Sequence, residues 1–464
     1  MSLDARKYIR IRRVHFIGIG GEGMSGIAEV LLTLGYKVSG SDLRETGTTR
    51  RLAGMGAQVF YGHRPENIGD AEVVVVSSAI REDNVEVQES RRRNIPVIRR
   101  ALMLAELMRM KYGIAVTGSH GKTTVTSMIG HVLESARLDP TIIVGGKIKT
   151  AGGNSRWGRG DILVAEADES DGSFLYLYPF MAVITNLDRE HLNHYGSVEG
   201  IKKAFVEFAR RVPFYSSIFL CADDPHLRAI MPQIDRRIVT YGLTGNADLR
   251  AAEISFDRFC SRCRVYRNGR ELGPLKLNVP GLHNVTNALA AIAVGLELGV
   301  APEILLSALE SYTGIGRRFE LKAEVGDIMV IEDYGHHPTE IMATLRAAKE
   351  GWGRRIVTVF QPHRYTRLLS LMEEFAACFA DADVLILTEV YPASEPPIEG
   401  VDGQRLFRKI AAKGGPRAFY EPDLQAIPEL AAALVRPGDM VFILGAGNIN
   451  QVTGPLVAAL RAKK

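Results

Sequence analysis

The chain is poor in cysteine, with four in 464 residues. That is too few for a disulfide framework and points to a reducing, cytoplasmic setting. It also lacks a charge of one sign. Lysine and arginine number 57 against 53 acidic residues, a net of +4, so nucleic acid is not an expected partner. No apolar run reaches bilayer length, because Glu297 interrupts the best candidate, Ala288 to Val300, and no membrane insertion is expected. Met1 to Arg13 is polar and basic with no apolar stretch behind it, which argues against a secretory leader. Cys260-Ser-Arg-Cys263 has no second pair to complete a zinc ribbon. The residues around it alternate and lead to Asn268-Gly269, the signature of a hairpin turn.

What is present is a phosphate loop. Gly118-Ser119-His120-Gly121-Lys122-Thr123-Thr124 follows the apolar run Ile114-Ala115-Val116 and opens a helical stretch ending near Ser135. A strand, a glycine turn and a helix N-terminus together aim backbone N–H groups and a helix dipole at an anion. Lys122 is placed to reach the β- and γ-phosphates of a nucleotide, and the Thr123 hydroxyl to ligate magnesium. Two residues separate the glycines, where the common P-loop has four. Downstream, Ile162–Ala165 reads as a strand with Glu166 at its end, followed by Asp168, Glu169 and Asp171. A carboxylate at that place is the usual second holder of the nucleotide's magnesium. Met181–Ile184 is another strand, ending in Thr185-Asn186, with His191 beyond it. Gly281-Leu-His283-Asn284-Val-Thr-Asn287 opens a helix of small residues. Its asparagines fit either a cap or an amide that reads an adenine edge.

On either side of this unit lie two more α/β patterns. Near the start, Val14–Ile17 leads into Gly18-Ile-Gly20-Gly21-Glu-Gly23, then a helix from Met24 to about Leu34 and a strand closed by Asp42. This is a βαβ unit with a dinucleotide-type turn, and alone it suggests NAD. The stronger loop at 118–124 argues instead for ATP in one domain and a nucleotide-linked substrate in the other. Val73–Val76 has the continuous apolar character of a buried parallel strand. Arg91–Arg93 with Arg99 and Arg100 reads as a solvated helix end and the strand beyond it, or as charge facing a pyrophosphate. From Gly316 onward, strands near 327–331, 354–360, 384–387 and 440–444 carry polar groups just past their ends, where open sheets bind ligands. Arg364 and Arg367 are spaced to hold a small carboxylate.

Five phrases taken together resemble the Mur ligases, the ATP-dependent amide-forming enzymes of bacterial cell-wall synthesis. They are Gly-Ile-Gly-Gly-x-Gly-Met-Ser-Gly-Ile-Ala at 18–28, Thr-Gly-Ser-His-Gly-Lys-Thr-Thr at 117–124, and Glu-Ala-Asp-Glu-Ser-Asp at 166–171. The other two are Asp-Tyr-Gly-His-His-Pro-Thr-Glu at 333–340 and Gln-Pro-His-Arg-Tyr-Thr-Arg at 361–367. The resemblance implies an α/β protein of three domains. They are a Rossmann-like UDP-sugar domain at 1–110, a P-loop ATPase-like domain at 111–315 and a Rossmann-like amino-acid domain at 316–464. It implies UDP contacts at Gly18, Gly20, Gly21, Gly23, Met24, Ser41 and Asp42, with Ser77, Ser78 and Ala79 near the pyrophosphate. Gly118 to Thr124 hold ATP, and Thr123, Glu166 and His191 match magnesium positions. His283 and Asn287 match adenine contacts, Arg318 a phosphate contact and Asp333 a ribose or hinge contact. Tyr334, His336, Arg364 and Arg367 match the pocket for the incoming amino acid.

The implied reaction joins L-alanine to the carboxylate of UDP-N-acetylmuramate through an acyl phosphate, with Lys122 stabilising charge and His191 or His336 taking the amine's proton. A monomer or weak homodimer is expected. A branch that attaches a whole tripeptide is the nearest alternative; its phrase carries phenylalanine and alanine where this chain has Tyr334 and Gly335. An NAD oxidoreductase and a non-catalytic ATP-binding module leave more of the motifs unexplained. Several family members carry a carbamoylated lysine about fifteen residues past the metal histidine. This chain has Val206 there, so the resemblance carries no modified lysine over to it.

Overall fold

The computed structural model describes residues 11–77, 79–145, 155–393 and 395–463. They fall into two compact units. One comprises residues 1–250, 267–270 and 287–308, the other 251–266, 271–286 and 309–464. The boundary expected near residue 110 lies inside the first unit, between two separate sheets.

The first sheet is formed by Arg13–Ile17 (β1), Lys37–Asp42 (β2), Gln58–Tyr61 (β3), Val73–Val76 (β4) and Val97–Arg99 (β5), in the order β3-β2-β1-β4-β5. All its pairings are parallel. The order reverses direction between β1 and β4, which makes a crevice at their carboxyl ends. The glycine turn at 18–23 lies there and leads into the helix Glu22–Thr33. β1 and β4 are apolar because helices cover both faces of a parallel sheet. β3, with its partly exposed residues, carries too weak an apolar run to stand out in the sequence.

The second sheet centres on Tyr112–Thr117 (β6), with Thr141–Ile143 (β7), Ser155–Arg156 (β8), Ile162–Glu166 (β9), Met181–Ile184 (β10), Ser217–Cys221 (β11) and Arg237–Gly242 (β12). β6 lies between β9 and β10, parallel to both. That arrangement brings the loop after β6 alongside the residues following β9 and β10. The helix Val198–Arg210 buries Ile201, Phe205 and Phe208 on one face, the spacing of a surface helix. Leu249–Asp257 (β13) begins beside β12. Cys260–Arg267 (β14) and Arg270–Leu277 (β15) follow, joined by Asn268 and Gly269 at φ of 49° and 80°. Both are left-handed, as a type I′ hairpin turn requires. The four cysteines are free thiols, and Cys260 and Cys263 are strand residues.

The third sheet orders Glu320–Val325 (β16), Ile328–Asp333 (β17), Met440–Leu444 (β21), Ile356–Phe360 (β18), Val384–Leu387 (β19) and Arg417–Tyr420 (β20), as β16-β17-β21-β18-β19-β20. Only the edge strand β16 runs antiparallel. One apolar cluster with Phe319, Phe360, Phe375 and Phe442 and another with Val330, Val359 and Ile443 pack this sheet. No helix of the described residues is long and apolar enough to cross a membrane.

Candidate functional site

β6 is buried from Gly113 to Thr117 and breaks at Gly118. φ values of 124° at Gly118 and 82° at Gly121 turn the chain into the helix Lys122–Ser135. Neither position has room for a side chain. A Cβ on Gly118 would stand 2.2 Å from Thr185 Oγ1, and one on Gly121 would stand 2.8 Å from Asn287 Oδ1. The segment after β10 grips the loop from behind. Asn186 accepts the His120 N–H at 2.8 Å and donates to the His120 carbonyl at 3.0 Å. Thr185 donates to that carbonyl at 2.6 Å, and the Ser119 N–H donates to the Asn186 carbonyl at 3.1 Å. The Asp188 N–H donates to Ser119 Oγ at 2.8 Å, and the Asp188 carboxylate lies 3.0 Å from His120 Nε2.

The N–H groups of Ser119 and His120 are therefore committed to Asn186. The donors left for an anion are those of the helix's first turn, Lys122 to Thr124, which have no intrahelical partner. Asn186 was legible only as a residue at a strand end; its two-sided grip needed the fold.

Lys122 Nζ donates to Glu169 Oε1 at 2.8 Å and to the carbonyls of Gly118 at 2.6 Å and Ser119 at 3.1 Å. Burial disfavours its charge, but Glu169 and Asp168 outweigh that and raise its pKa above the ordinary value. Glu169 is buried, and its Oε2 has no hydrogen-bond partner. His191 Nε2 lies 3.6 Å from Glu169 Oε1 and 3.7 Å from Glu190 Oε2. One donor atom from each of Glu169, Glu190 and His191 falls within 4.8 Å of the others. His191 has a φ of 56°, a strained value of the kind found at functional sites.

Of the set Thr123, Glu166 and His191 implied by the resemblance, Glu166 accepts the Gly145 N–H at 2.7 Å, and Glu169 and Glu190 lie beside the histidine. In the sequence Glu169 is one of several acids after β9, and Glu190 belongs to no motif. Val206 is buried in its helix, as a core residue.

In the first sheet, Gly18 turns at φ 81°. Asp42 reaches back to accept the Gly20 N–H at 2.9 Å and the Leu43 N–H at 2.8 Å. A Cβ on Gly20 would lie 2.8 Å from Asp42 Oδ2, so a side chain there would have to displace that carboxylate. Gly23 makes room for Arg100, whose Nη2 lies 3.2 Å from Asp168.

Two of the expected substrate contacts turn out to be interior. Met24 is 1% exposed and packs in the core. Ser41 is fully buried, with its hydroxyl donated to Glu86 at 2.6 Å; periodicity gives no warning that a polar residue at a strand end points inward. Ser77 Oγ accepts the exposed Ala79 N–H at 3.3 Å, and Ser78 lies outside the described residues.

Beyond β17, Asp333 accepts the Phe319 N–H at 2.8 Å and the Gly335 N–H at 2.7 Å. Burial pushes its carboxyl up, against the pull of Arg318. The guanidinium groups of Arg317 and Arg318 lie 4.9 and 5.2 Å from the Tyr334 ring centre. His336 Nδ1 is 3.0 Å from the Tyr334 carbonyl. Past β18, His363 stacks on Tyr391 at 5.5 Å and lies 5.7 Å from the His336 ring. Arg367 Nη1 donates to the His363 carbonyl at 3.2 Å. Arg364 is held at φ 72°, ψ 132°, a region L-residues avoid. Burial, with His336, Arg367 and Arg364 adding to it, pushes His363 down to about 3. The positive charge of this cluster thus comes from its arginines, with His363 neutral. His363 and Tyr391 were absent from the expected pocket.

On the helix Leu282–Glu297, His283 is exposed and Asn287 is buried one turn later. Asn287 lies inside the helix, so capping is excluded. Asn284 likewise turns its amide back to the Pro280 carbonyl at 2.7 Å.

Three family models match in succession. They are the Mur ligase family catalytic domain at 13–112, the Mur ligase middle domain at 116–295 and the Mur ligase glutamate ligase domain at 317–447. Among curated proteins, the UDP-N-acetylmuramate–L-alanine ligase of Geotalea daltonii is 53% identical over 454 residues, covering 98% of this chain and 99% of that one. The protein of the same name in Geobacter sulfurreducens is 52% identical over 455 residues, covering 98% of each. Among solved structures, the UDP-N-acetylmuramate-alanine ligase MurC of Thermotoga maritima aligns with a TM-score of 0.84 at 32% identity, over 97% of this chain and 100% of that one. The murein peptide ligase of Psychrobacter arcticus shares the fold at a TM-score of 0.72 and 24% identity, over 97% and 99%. This chain belongs to the Mur ligase family.

Proposed function

We propose that this protein joins L-alanine to the lactyl carboxylate of UDP-N-acetylmuramate, at the expense of ATP. The observation that carries the reading is the full-length likeness, above half identity, to relatives that bear the name of that activity. The division at 1–110, 111–315 and 316–464 belongs to the same reading, and the three successive family matches support it. A cytoplasmic location and a monomer or weak homodimer belong to the same reading.

A carboxylate does not exchange oxygen for an amine in water, because hydroxide leaves poorly. Transfer of the γ-phosphoryl group makes an acyl phosphate with a good leaving group. Lys122 neutralises charge on the transferring group, exchanging Glu169 for phosphoryl oxygen. The first-turn N–H groups after Gly121 hold the phosphates. Glu169, with one buried oxygen unengaged, Glu190 and His191 offer oxygen and nitrogen donors that fit a divalent ion, together with Thr123 and Glu166 from the family pattern. Magnesium bound there supplies charge neutralisation on the phosphates. Arg364 and Arg367 hold the carboxylate of alanine by charge-assisted bonds. His336 is the base we favour. Its Nδ1 lies against a carbonyl, which fixes that nitrogen as a donor and makes Nε2 the basic one. His336 Nε2 takes a proton from the alanine ammonium, and the neutral amine attacks the acyl carbon as phosphate departs.

The test is phosphate release from ATP and magnesium, with and without UDP-N-acetylmuramate, across amino acids and the murein tripeptide. Release that needs both the sugar nucleotide and L-alanine is expected. Release only with the tripeptide would transfer the protein to the recycling branch.

A further inference from the structure

Beneath the end of β2 lies a carboxylate for which the reaction just described has no use. Glu86, on the helix Val85–Arg92, is fully buried, as is His15 on β1. Its Oε2 accepts the Ser41 hydroxyl at 2.6 Å and lies 3.4 Å from His15 Nε2 and 3.6 Å from His63 Nδ1. Its Oε1 accepts from Asn67 Nδ2 at 2.6 Å and from the Arg64 N–H at 3.1 Å. A core that only needed filling is served as well by an apolar side chain, because burying a charge is costly even when it is paired.

What the carboxylate supplies is direction. Ser41 gives its single proton to Glu86, so the 3.0 Å contact between Ser41 Oγ and His63 Nδ1 must take its proton from the imidazole. The neutral His63 ring therefore carries its hydrogen on Nδ1 and has Nε2 as an acceptor. His63 follows β3 and Ser41 belongs to the end of β2. Both lie at the carboxyl edge of the sheet, with the glycine turn and Asp42, where open α/β sheets take their ligands. Of the network's side chains, Glu86 and His15 are wholly enclosed, whereas that of His63 is 15% exposed.

We propose that Glu86 is a positioning residue that acts through Ser41, and that His63 Nε2 accepts a hydrogen bond from the nucleoside end of the UDP-linked substrate. This rests on the reading of the first domain as the UDP holder. A uridine offers the ribose 2′- and 3′-hydroxyls and the N3–H of the base as donors, and the two that we weigh are the 2′-hydroxyl and N3–H.

The experiment is calorimetric titration of the full-length protein with UDP and with magnesium-ATP, for wild type, His63→Ala and Glu86→Gln. 2′-Deoxy-UDP and N3-methyl-UDP serve as probes. Both variants are expected to bind UDP at least about tenfold more weakly while magnesium-ATP stays within about twofold. They should also lose the wild type's discrimination against one analogue. Loss against 2′-deoxy-UDP assigns the ribose, and loss against N3-methyl-UDP assigns the base. UDP binding by His63→Ala within about twofold of wild type overturns the proposal and leaves the UDP reading standing. Equal weakening of UDP and ATP in His63→Ala overturns it too, since that is the mark of a damaged fold. A wild type that binds no UDP overturns both.

Discussion

Lys122 Nζ lies 2.8 Å from Glu169 Oε1, and the glutamate's side chain is 3% exposed. The cation proposed to bind phosphate is thus paired with an internal anion, and the two residues are coupled in stability. Lys122→Met is expected to lower kcat by about a hundredfold or more. Removing one partner of a buried pair also costs about 3 kcal/mol. The double variant Lys122→Met/Glu169→Gln should regain most of that stability and none of the activity. Urea unfolding of the three proteins beside phosphate release checks this. Near-normal turnover in the single variant would sink the role given to Lys122.

Asn186 holds the His120 peptide from both sides. Asn186→Ala is expected to raise the ATP KM by about tenfold, because each lost bond frees a loop group that must be reordered on binding. The alanine KM should hardly move. Steady-state kinetics with each substrate varied in turn will tell, and an unchanged ATP KM would show that the clamp is dispensable.

The basic pocket gives the converse pattern. Arg367 is bonded to His363 and, with Arg364, supplies the pocket's positive charge. Arg367→Ala should raise the alanine KM by about tenfold or more while that of ATP changes little, since a carboxylate partner is lost. Equal rises for both substrates would count against the pocket.

Glu190 touches the histidine of the candidate metal cluster. Glu190→Gln should raise the magnesium concentration for half-maximal activity by about tenfold with little change in melting temperature. An unaltered magnesium titration would remove Glu190 from the metal site.

Glu86 predicts a pH effect. Burial opposes its ionisation, but hydrogen bonds from His15, Ser41 and Asn67 prevail and hold it down at about 2. A depressed carboxylate contributes stability that is present above its unfolded pKa and lost as pH falls through the folded value. The window therefore runs from about pH 5 to pH 2, and the contribution is about 3 kcal/mol. Glu86→Gln should flatten the loss of stability with acid over that window. Chemical unfolding at a series of pH values measures it, and parallel curves for the two proteins would refute the assignment.

Local chemistry was enough to read much of this molecule from its sequence. Glycines at 118 and 121 before Gly-Lys-Thr-Thr, apolar runs such as Val73–Val76 and Met440–Leu444, and Asn268-Gly269 state their conformations in a few neighbouring residues. The phosphate loop, most strands of the three sheets and the family all follow from such short stretches. Tertiary structure decided everything that depends on separated segments meeting. It spent the Ser119 and His120 N–H groups on Asn186, set Glu169 and Glu190 beside His191, and stacked His363 on Tyr391. It also buried Ser41 and Met24, two of the positions that the family resemblance implies for substrate. The physical reason is that a side chain's direction is set by sheet order and by what packs over the strand end, and neither is written in the residue's own neighbours.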